Sequence, residues 1–225
     1  EVIEELKDDR KYPAVHTYTS TLHSFAAFSG DAMPMNEVFT PGRLKEYEDW
    51  LLQRRLSWNT ISTYMRTLQA VYNRLSPPGT PEHNPRLFDD VYTKVKSQIK
   101  RALTEEQMGR LMHADLDVLS EELQRVQAYF LLMFLFRGMP FIDLAHLRKR
   151  DVKDGKIAYR RHKTGKQITL RIPREALPLL KEFKDKDAAS LYLFPILNDA
   201  PEGEDALYRH YQKALRNFNK MLEVL

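Results

Sequence analysis

The chain has 225 residues, 43% of them hydrophobic, with 35 Lys/Arg against 31 Asp/Glu for a net charge of +4; that length suits one large or two ordinary domains with sizeable cores. The absence of Cys excludes a disulfide framework and thiolate metal sites and fits a reducing cytoplasm. The seven His are scattered without an i, i+4 pair beside a carboxylate, so no metal is expected, and no signal segment or membrane-length apolar run is visible.

Tyr12-Pro13 predicts a first helix over about residues 14–28, closed at Gly30. Thr40-Pro41 predicts a second, to about Arg54. A third runs from Asn59, where Ile61, Met65, Leu68, Tyr72 and Leu75 recur at three- and four-residue spacing as a core face. Thr60, Thr63, Arg66, Thr67 and Arg74 are left outside. The proline-rich stretch after Leu75 ends that helix, and a fourth is expected over residues 87–95; together they suffice for a small bundle. A basic connection, KVKSQIKR over residues 94–101, puts the boundary near Lys100. The expected division is therefore a helical domain over residues 1–100, a linker near residues 94–103, and a second domain over residues 104–225.

Thr104 with Gln107 reads as a capping box opening the next helix. The run YFLLMFLF over residues 129–136 is too short for a bilayer and predicts a helix buried on all sides, stopped by Arg137-Gly138. A charge at the end of such a helix needs an anion; Asp143 is an internal candidate and a bound phosphate an external one. Asp154-Gly155 predicts a type I′ hairpin turn after a strand ending near Val152. The next strand covers residues 157–161, and Gly165 supplies a left-handed residue in the following turn. A third strand carries Ile168, Leu170 and Ile172 on one face. The expected fold class is thus mainly α with a small antiparallel β-meander. Residues 137–173 hold eleven Lys/Arg against three Asp, a balance of +8; since the chain totals +4, the remainder is −4. Positive charge so concentrated attracts a polyanion, and nucleic acid is the leading partner. Lys163 and Lys166 sit at the ribbon tip, with Arg160 and Arg161 on the strand leading to it. A solvated, charged hairpin that keeps a sheet edge soluble is the plainer alternative. A helix over residues 173–184 and another over residues 204–225 complete the chain, the latter with Leu207, Tyr211, Leu215, Phe218 and Leu222 as an apolar stripe.

The order buried helix, RGMPFIDLAHL, basic linker, hairpin with the turn KTGK, then Ile-Pro and a helix, resembles the first part of the catalytic domain of tyrosine recombinases, the phage-integrase family of site-specific DNA recombinases. Residues 12–101 resemble that family's helical, SAM-like core-binding domain, with SWNTISTY over residues 57–64 similar to its polar, DNA-facing helix start. The resemblance implies a core-binding domain followed by part of an integrase catalytic domain. It implies strand cleavage by a tyrosine through a 3′-phosphotyrosyl link, without cofactor or metal, and cations that neutralise the phosphorane. It places Lys163 as general acid for the leaving 5′-oxygen. Asn59, Thr60, Thr63 and Arg66 are implied DNA contacts, as are Lys100 and Arg101 in a connector that lets two lobes close on the duplex, and Arg160, Arg161 and Lys166 in the ribbon. Partners implied are double-stranded DNA and further protomers, as a tetramer on DNA, and the place of action a bacterial or phage-like cytoplasm at the nucleoid.

Two departures qualify the match. Where the family places its first catalytic arginine, three residues before the acidic residue, this chain has Pro140; Arg137 is the substitute in a subset sharing R-G-M-x-F-x-D, and Asp143 is then an orienting residue. No H-x-x-R box is recognisable, and Tyr208 and Tyr211 read as ordinary helix aromatics instead of the nucleophile. The expectation is a fragment trimmed at both ends that holds DNA without cutting it. A non-catalytic architectural or regulatory DNA-binding module is the alternative, and an RNA binder or adhesion module a third class.

Overall fold

The computed structural model describes residues 2–30, 34–96, 102–113 and 119–225. It divides the chain into two compact units, Glu1–Lys100 and Arg101–Leu225.

The first unit is helical: α1 (Val2–Asp8), α2 (Tyr12–Ser29), the single turn α3 (Met35–Val38), α4 (Pro41–Gln53) and α5 (Trp58–Leu75). Local chemistry sets the ends of the long helices. Thr40 accepts the Arg43 amide and Pro41 fills the first helical position, where an absent N–H costs nothing. Ser57 accepts the Thr60 amide in the same way. Leu44, Tyr47, Leu51, Ile61 and Met65 are fully buried at the centre of this unit, with Phe25 edge-on to Tyr47 at 4.9 Å. Helix α1, which was not anticipated, buries Leu6 and pairs Glu5 with Arg74 of α5 at 2.8 Å.

Three expectations for this unit need correction. Leu75 is 44% exposed, being the last helical residue, whereas Thr67 is buried because its hydroxyl donates to the Thr63 carbonyl at 2.8 Å and so enters the interior satisfied. Residues 87–95 form a series of turns and no helix. Leu87, Phe88 and Val91 still reach the core. The amide of Tyr92 is taken at 2.5 Å by buried Glu48 of α4 and that of Lys96 at 2.9 Å by Asn59 of α5, so partners distant in sequence replace an i→i−4 ladder.

The second unit comprises α6 (Glu105–Met112), α7 (Glu121–Leu135), α8 (Phe141–His146), a 3₁₀ turn (Lys149–Asp151), strands β1 (Val152–Lys153), β2 (Lys156–Arg160) and β3 (Gln167–Arg171), then α9 (Ala176–Phe183) and α10 (Glu204–Leu222). The Thr104–Gln107 capping box is present with both of its hydrogen bonds. The strands form one antiparallel sheet in the order β1-β2-β3. Asp154 and Gly155 take φ of 51° and 69°, as a type I′ turn requires, and Gly165 takes 66°. Ile157, Tyr159, Ile168 and Leu170 turn one sheet face onto a core shared with α7, α8, α9 and α10. In α10 the stripe residues Tyr211 and Phe218 are buried, and Phe218 stacks on Phe141 at 4.4 Å. Helix α7 is not enclosed on every side: Phe134 is 55% exposed in an apolar groove with Leu103, Met108, Met112 and Leu222. Among the described residues no helix is long and apolar enough to cross a membrane.

Candidate nucleic-acid interface

Period-two alternation decides which ribbon residues meet solvent. Along β2, Ile157 and Tyr159 are buried while Lys156, Ala158 and Arg160 are exposed; along β3, Gln167, Thr169 and Arg171 are exposed. The exposed face therefore carries the charge. None of the eleven Lys/Arg between Arg137 and Arg171 forms an ion pair with a carboxylate among the described residues. Cations concentrated over one stretch of chain without ion-pair partners are the electrostatic footprint of a polyanion partner.

The tip is a closed turn rather than a loose loop. The Arg161 amide donates to the Lys166 carbonyl at 2.9 Å, and those of Thr164 and Gly165 return to the Arg161 carbonyl at 3.3 and 2.8 Å. One residue before Lys163, the His162 amide donates to Oδ1 of Asp143 at 2.8 Å. Asp143 lies on α8, is 3% exposed, and its Oδ2 is buried without a partner among the described residues. A desolvated carboxylate with an unmatched oxygen is costly, and its one strong bond fixes the ribbon tip to α8. Exposed Lys163 and Lys166 thus stand on a backbone whose position is set from below.

Arg137 sits where α7 ends. It adopts a left-handed backbone with φ of 62°, a conformation costing a non-glycine residue about 1 kcal/mol. Gly138 follows at 74°, and the amides of Gly138 and Met139 both reach the Met133 carbonyl at 3.0 Å. This reversal leaves the Arg137 side chain exposed and without an ion-pair partner among the described residues. Its anticipated internal partner, Asp143, spends its bonded oxygen on the His162 amide. The turn bearing Arg137 leads through Met139 and Pro140 directly into α8, so both predicted cations hang on elements joined at Asp143.

Beside the ribbon lies a cleft of about 530 Å³ lined by Asp143, His146, Arg148, Arg150, Arg160 and Tyr192, among others. His146 was not anticipated as part of a site. Its Nδ1 pairs with the Ile142 carbonyl at 2.8 Å, its ring lies 4.7 Å from that of His162, and burial pushes its pKa below the ordinary histidine value. With Nδ1–H donated to a carbonyl, the neutral ring presents an acceptor at Nε2. The signal in the sequence was the i, i+3 spacing of Asp143 and His146 on one short helix. Arg161, by contrast, is half-buried with Nε enclosed and unpartnered among the described residues, so it faces the interior more than its exposed neighbour Arg160. No cluster of three His, Asp or Glu able to hold a metal occurs among the described residues.

In the first unit the anticipated contacts are mostly engaged. The Asn59 side chain donates to the Lys96 carbonyl at 3.1 Å and accepts the Lys96 amide at 2.9 Å, which leaves little of it for an external ligand. The Thr60 hydroxyl lies 2.9 Å from that of Ser57, and Thr63 donates to the Asn59 carbonyl at 2.8 Å. Arg66 is exposed with no ion pair among the described residues. Lys100 and Arg101 lie outside the described residues. In α10, Tyr211 is buried with its phenol pKa raised by burial, and Tyr208 accepts from the Gln212 amide at 3.1 Å, in keeping with helix aromatics.

Residues 1–75 match the phage integrase SAM-like domain family. Among solved structures, a lambda integrase dimer bound to a COC′ core site is similar at 14% identity and TM-score 0.59, covering 92% of this chain and 72% of that one. A lambda integrase tetramer bound to a Holliday junction is similar at 14% identity and TM-score 0.60, covering 96% of this chain and 64% of that one. The chain thus spans about two thirds of the length of these proteins, and at such identity the likeness is one of fold. A search of the curated proteins finds no match.

Proposed function

We propose that this chain, of the tyrosine recombinase and phage integrase family, holds duplex DNA and contributes part of the machinery that cuts and rejoins it in site-specific recombination. One observation carries the reading: eleven Lys/Arg over residues 137–171, seven of them in the ribbon of residues 152–171, with no ion pair to a carboxylate among the described residues, and a ribbon tip tied to α8 through Asp143. In this reading the first unit is the core-binding domain and the second the leading part of the catalytic domain. Further protomers join on DNA, as they do in the lambda integrase dimer and tetramer.

The chemistry assigned to these residues is limited and specific. A tyrosine oxygen attacks the scissile phosphorus, the 5′-oxygen leaves with a proton, and a 3′-phosphotyrosyl bond conserves the energy for rejoining. Lys163 carries an ammonium on a fixed turn and supplies that proton. Arg137, exposed at the end of α7, offers a planar, bidentate guanidinium to the non-bridging oxygens as charge builds on them. Neither Tyr208 nor Tyr211 is assigned as nucleophile, because one is hydrogen-bonded and the other buried.

That last point also favours a narrower second reading, in which these residues bind DNA without cleaving it. Two measurements separate the readings. Titration with duplex DNA and with RNA at two salt concentrations is expected to show duplex preference and a strong salt dependence; equal binding to both would remove the DNA assignment. A nicked suicide duplex is expected to trap a covalent complex with the recombinase-length protein and none with residues 1–225. A covalent complex on residues 1–225 would overturn the assignment of Tyr208 and Tyr211.

A further inference from the structure

The ribbon register places charges together in a way that its role at the tip does not explain. Lys153 of β1 lies directly opposite Lys156 of β2, and Lys156 lies directly opposite Arg171 of β3. All three are exposed, on the same sheet face, and none meets a carboxylate among the described residues; Asp154, in the adjoining turn, pairs with none of them. Directly opposed side chains have Cβ atoms about 5 Å apart, and like charges in that position destabilise a sheet. One acidic residue at any of the three positions would have relieved the repulsion.

We propose that Lys153, Lys156 and Arg171 form a transverse row of cations that seats a backbone phosphate of duplex DNA, at the end of the ribbon away from Lys163. The site rests on the DNA-binding reading above and extends it to a further phosphate. Ala158 and Thr169 face each other between this row and the Arg160–Gln167 pair, leaving an uncharged rung of short side chains along which a sugar-phosphate strand can lie close. Four residues separate Lys156 from Arg160, about 13 Å of strand, so the row and the tip engage different phosphates. None of the three residues lines the cleft containing His146, so the row is a separate site. Arg171 supplies a fork that fits two phosphate oxygens, and the lysines add point charges on flexible stems.

The test uses residues 1–225 and a duplex of about 30 base pairs, titrated over a range of salt concentrations. The variants are Lys156→Gln, the triple Lys153→Gln/Lys156→Gln/Arg171→Gln, and Lys213→Gln on α10 as a charge-matched control for the single change. Removing the cation that neutralises one phosphate flattens the plot of log affinity against log salt by about 0.9. The triple variant is expected to lose about 0.9 in that slope and about tenfold in low-salt affinity. Lys156→Gln should lose a smaller share and Lys213→Gln none. Melting of the DNA-free triple variant is expected at or above the wild-type temperature, because repulsion has been removed; if the triple variant misfolds, Lys156→Gln against Lys213→Gln decides. A wild-type protein that binds duplex while Lys156→Gln matches Lys213→Gln in slope overturns the row and spares the DNA reading. A wild-type protein that binds no duplex overturns both.

Discussion

The start of α5 and the tip of the ribbon are both rich in polar side chains, yet they use them in opposite ways. At α5 the groups turn inward: Ser57 caps, Thr63 bonds the preceding turn, and Asn59 clamps the backbone of Lys96. At the ribbon they remain open, with Lys163, Lys166 and Arg160 exposed and without carboxylate partners among the described residues. Composition alone cannot separate the two cases, because a hydroxyl or amide satisfies itself on nearby backbone, whereas an ammonium needs an anion. What distinguishes a contact surface from a structural one is the polar capacity left over once the fold is satisfied.

The largest effect expected from this contrast is at Lys163. In a recombinase-length protein, Lys163→Ala should slow strand cleavage by about 10²- to 10⁴-fold, the range for a missing general acid, while duplex affinity falls only severalfold. Single-turnover cleavage of a nicked duplex beside equilibrium binding makes the comparison. Parallel losses in both would remove the general-acid role from Lys163.

Asp143 comes next, because this buried side chain serves the ribbon from inside. Asp143→Ala removes the acceptor of the His162 amide and should destabilise the fold by about 1–3 kcal/mol, the cost of an unsatisfied donor. Asp143→Asn keeps a carbonyl oxygen there and should recover much of that in urea unfolding. If both variants unfold like wild type, the tip is not held by this bond and its rigidity has another source.

How far the sequence announced these features follows from the range of each interaction. The Thr104–Gln107 capping box, the Thr40-Pro41 helix start, the Asp154-Gly155 turn and Gly165 were legible because each is settled within four residues. The clamp of Asn59 on Lys96 spans 37 residues and the tie from Asp143 to His162 spans 19, and no local pattern announces either. The same limit explains residues 87–95, where the expected helix gives way to Glu48 and Asn59 capturing backbone amides. Phe134 shows the converse: a continuous apolar run gives no sign of which side faces an open groove. The exposure of Lys163 was readable from its place in a turn, whereas the engagement of Asn59 was not.

A paired substitution in the first unit sharpens the contrast directly. Asn59→Ala should cost about 1–2 kcal/mol in stability, since it removes two hydrogen bonds, and leave the salt dependence of DNA binding unchanged. Arg66→Ala should do the reverse, leaving urea unfolding within about 0.5 kcal/mol of wild type and flattening the salt plot by about 0.9 if it meets one phosphate. Weakened DNA binding with an altered salt slope in folded Asn59→Ala protein would mean that the clamp opens on DNA and the amide meets the duplex after all.

The smallest effect belongs to His146, which shares both behaviours, since one nitrogen is committed to the Ile142 carbonyl and the ring borders the open cleft. Burial is the main cause of its lowered pKa, and the neighbouring His162 acts in the same direction. Between the ordinary histidine pKa of about 6.5 and its lower folded value, the unfolded chain binds more protons than the folded one. The contribution of this residue to stability is therefore fully present above about pH 6.5 and is lost as the pH falls toward the folded pKa, with a slope of at most about 1.4 kcal/mol per pH unit. His146→Asn retains a side-chain donor and removes the titrating group, so its stability should vary less with pH than that of wild type between pH 7.5 and 5. A phosphate in the cleft would favour the protonated ring, so bound DNA should shrink the difference between the two proteins. A difference that persists undiminished in the complex would place His146 with the inward-turned residues of α5 and remove it from the interface.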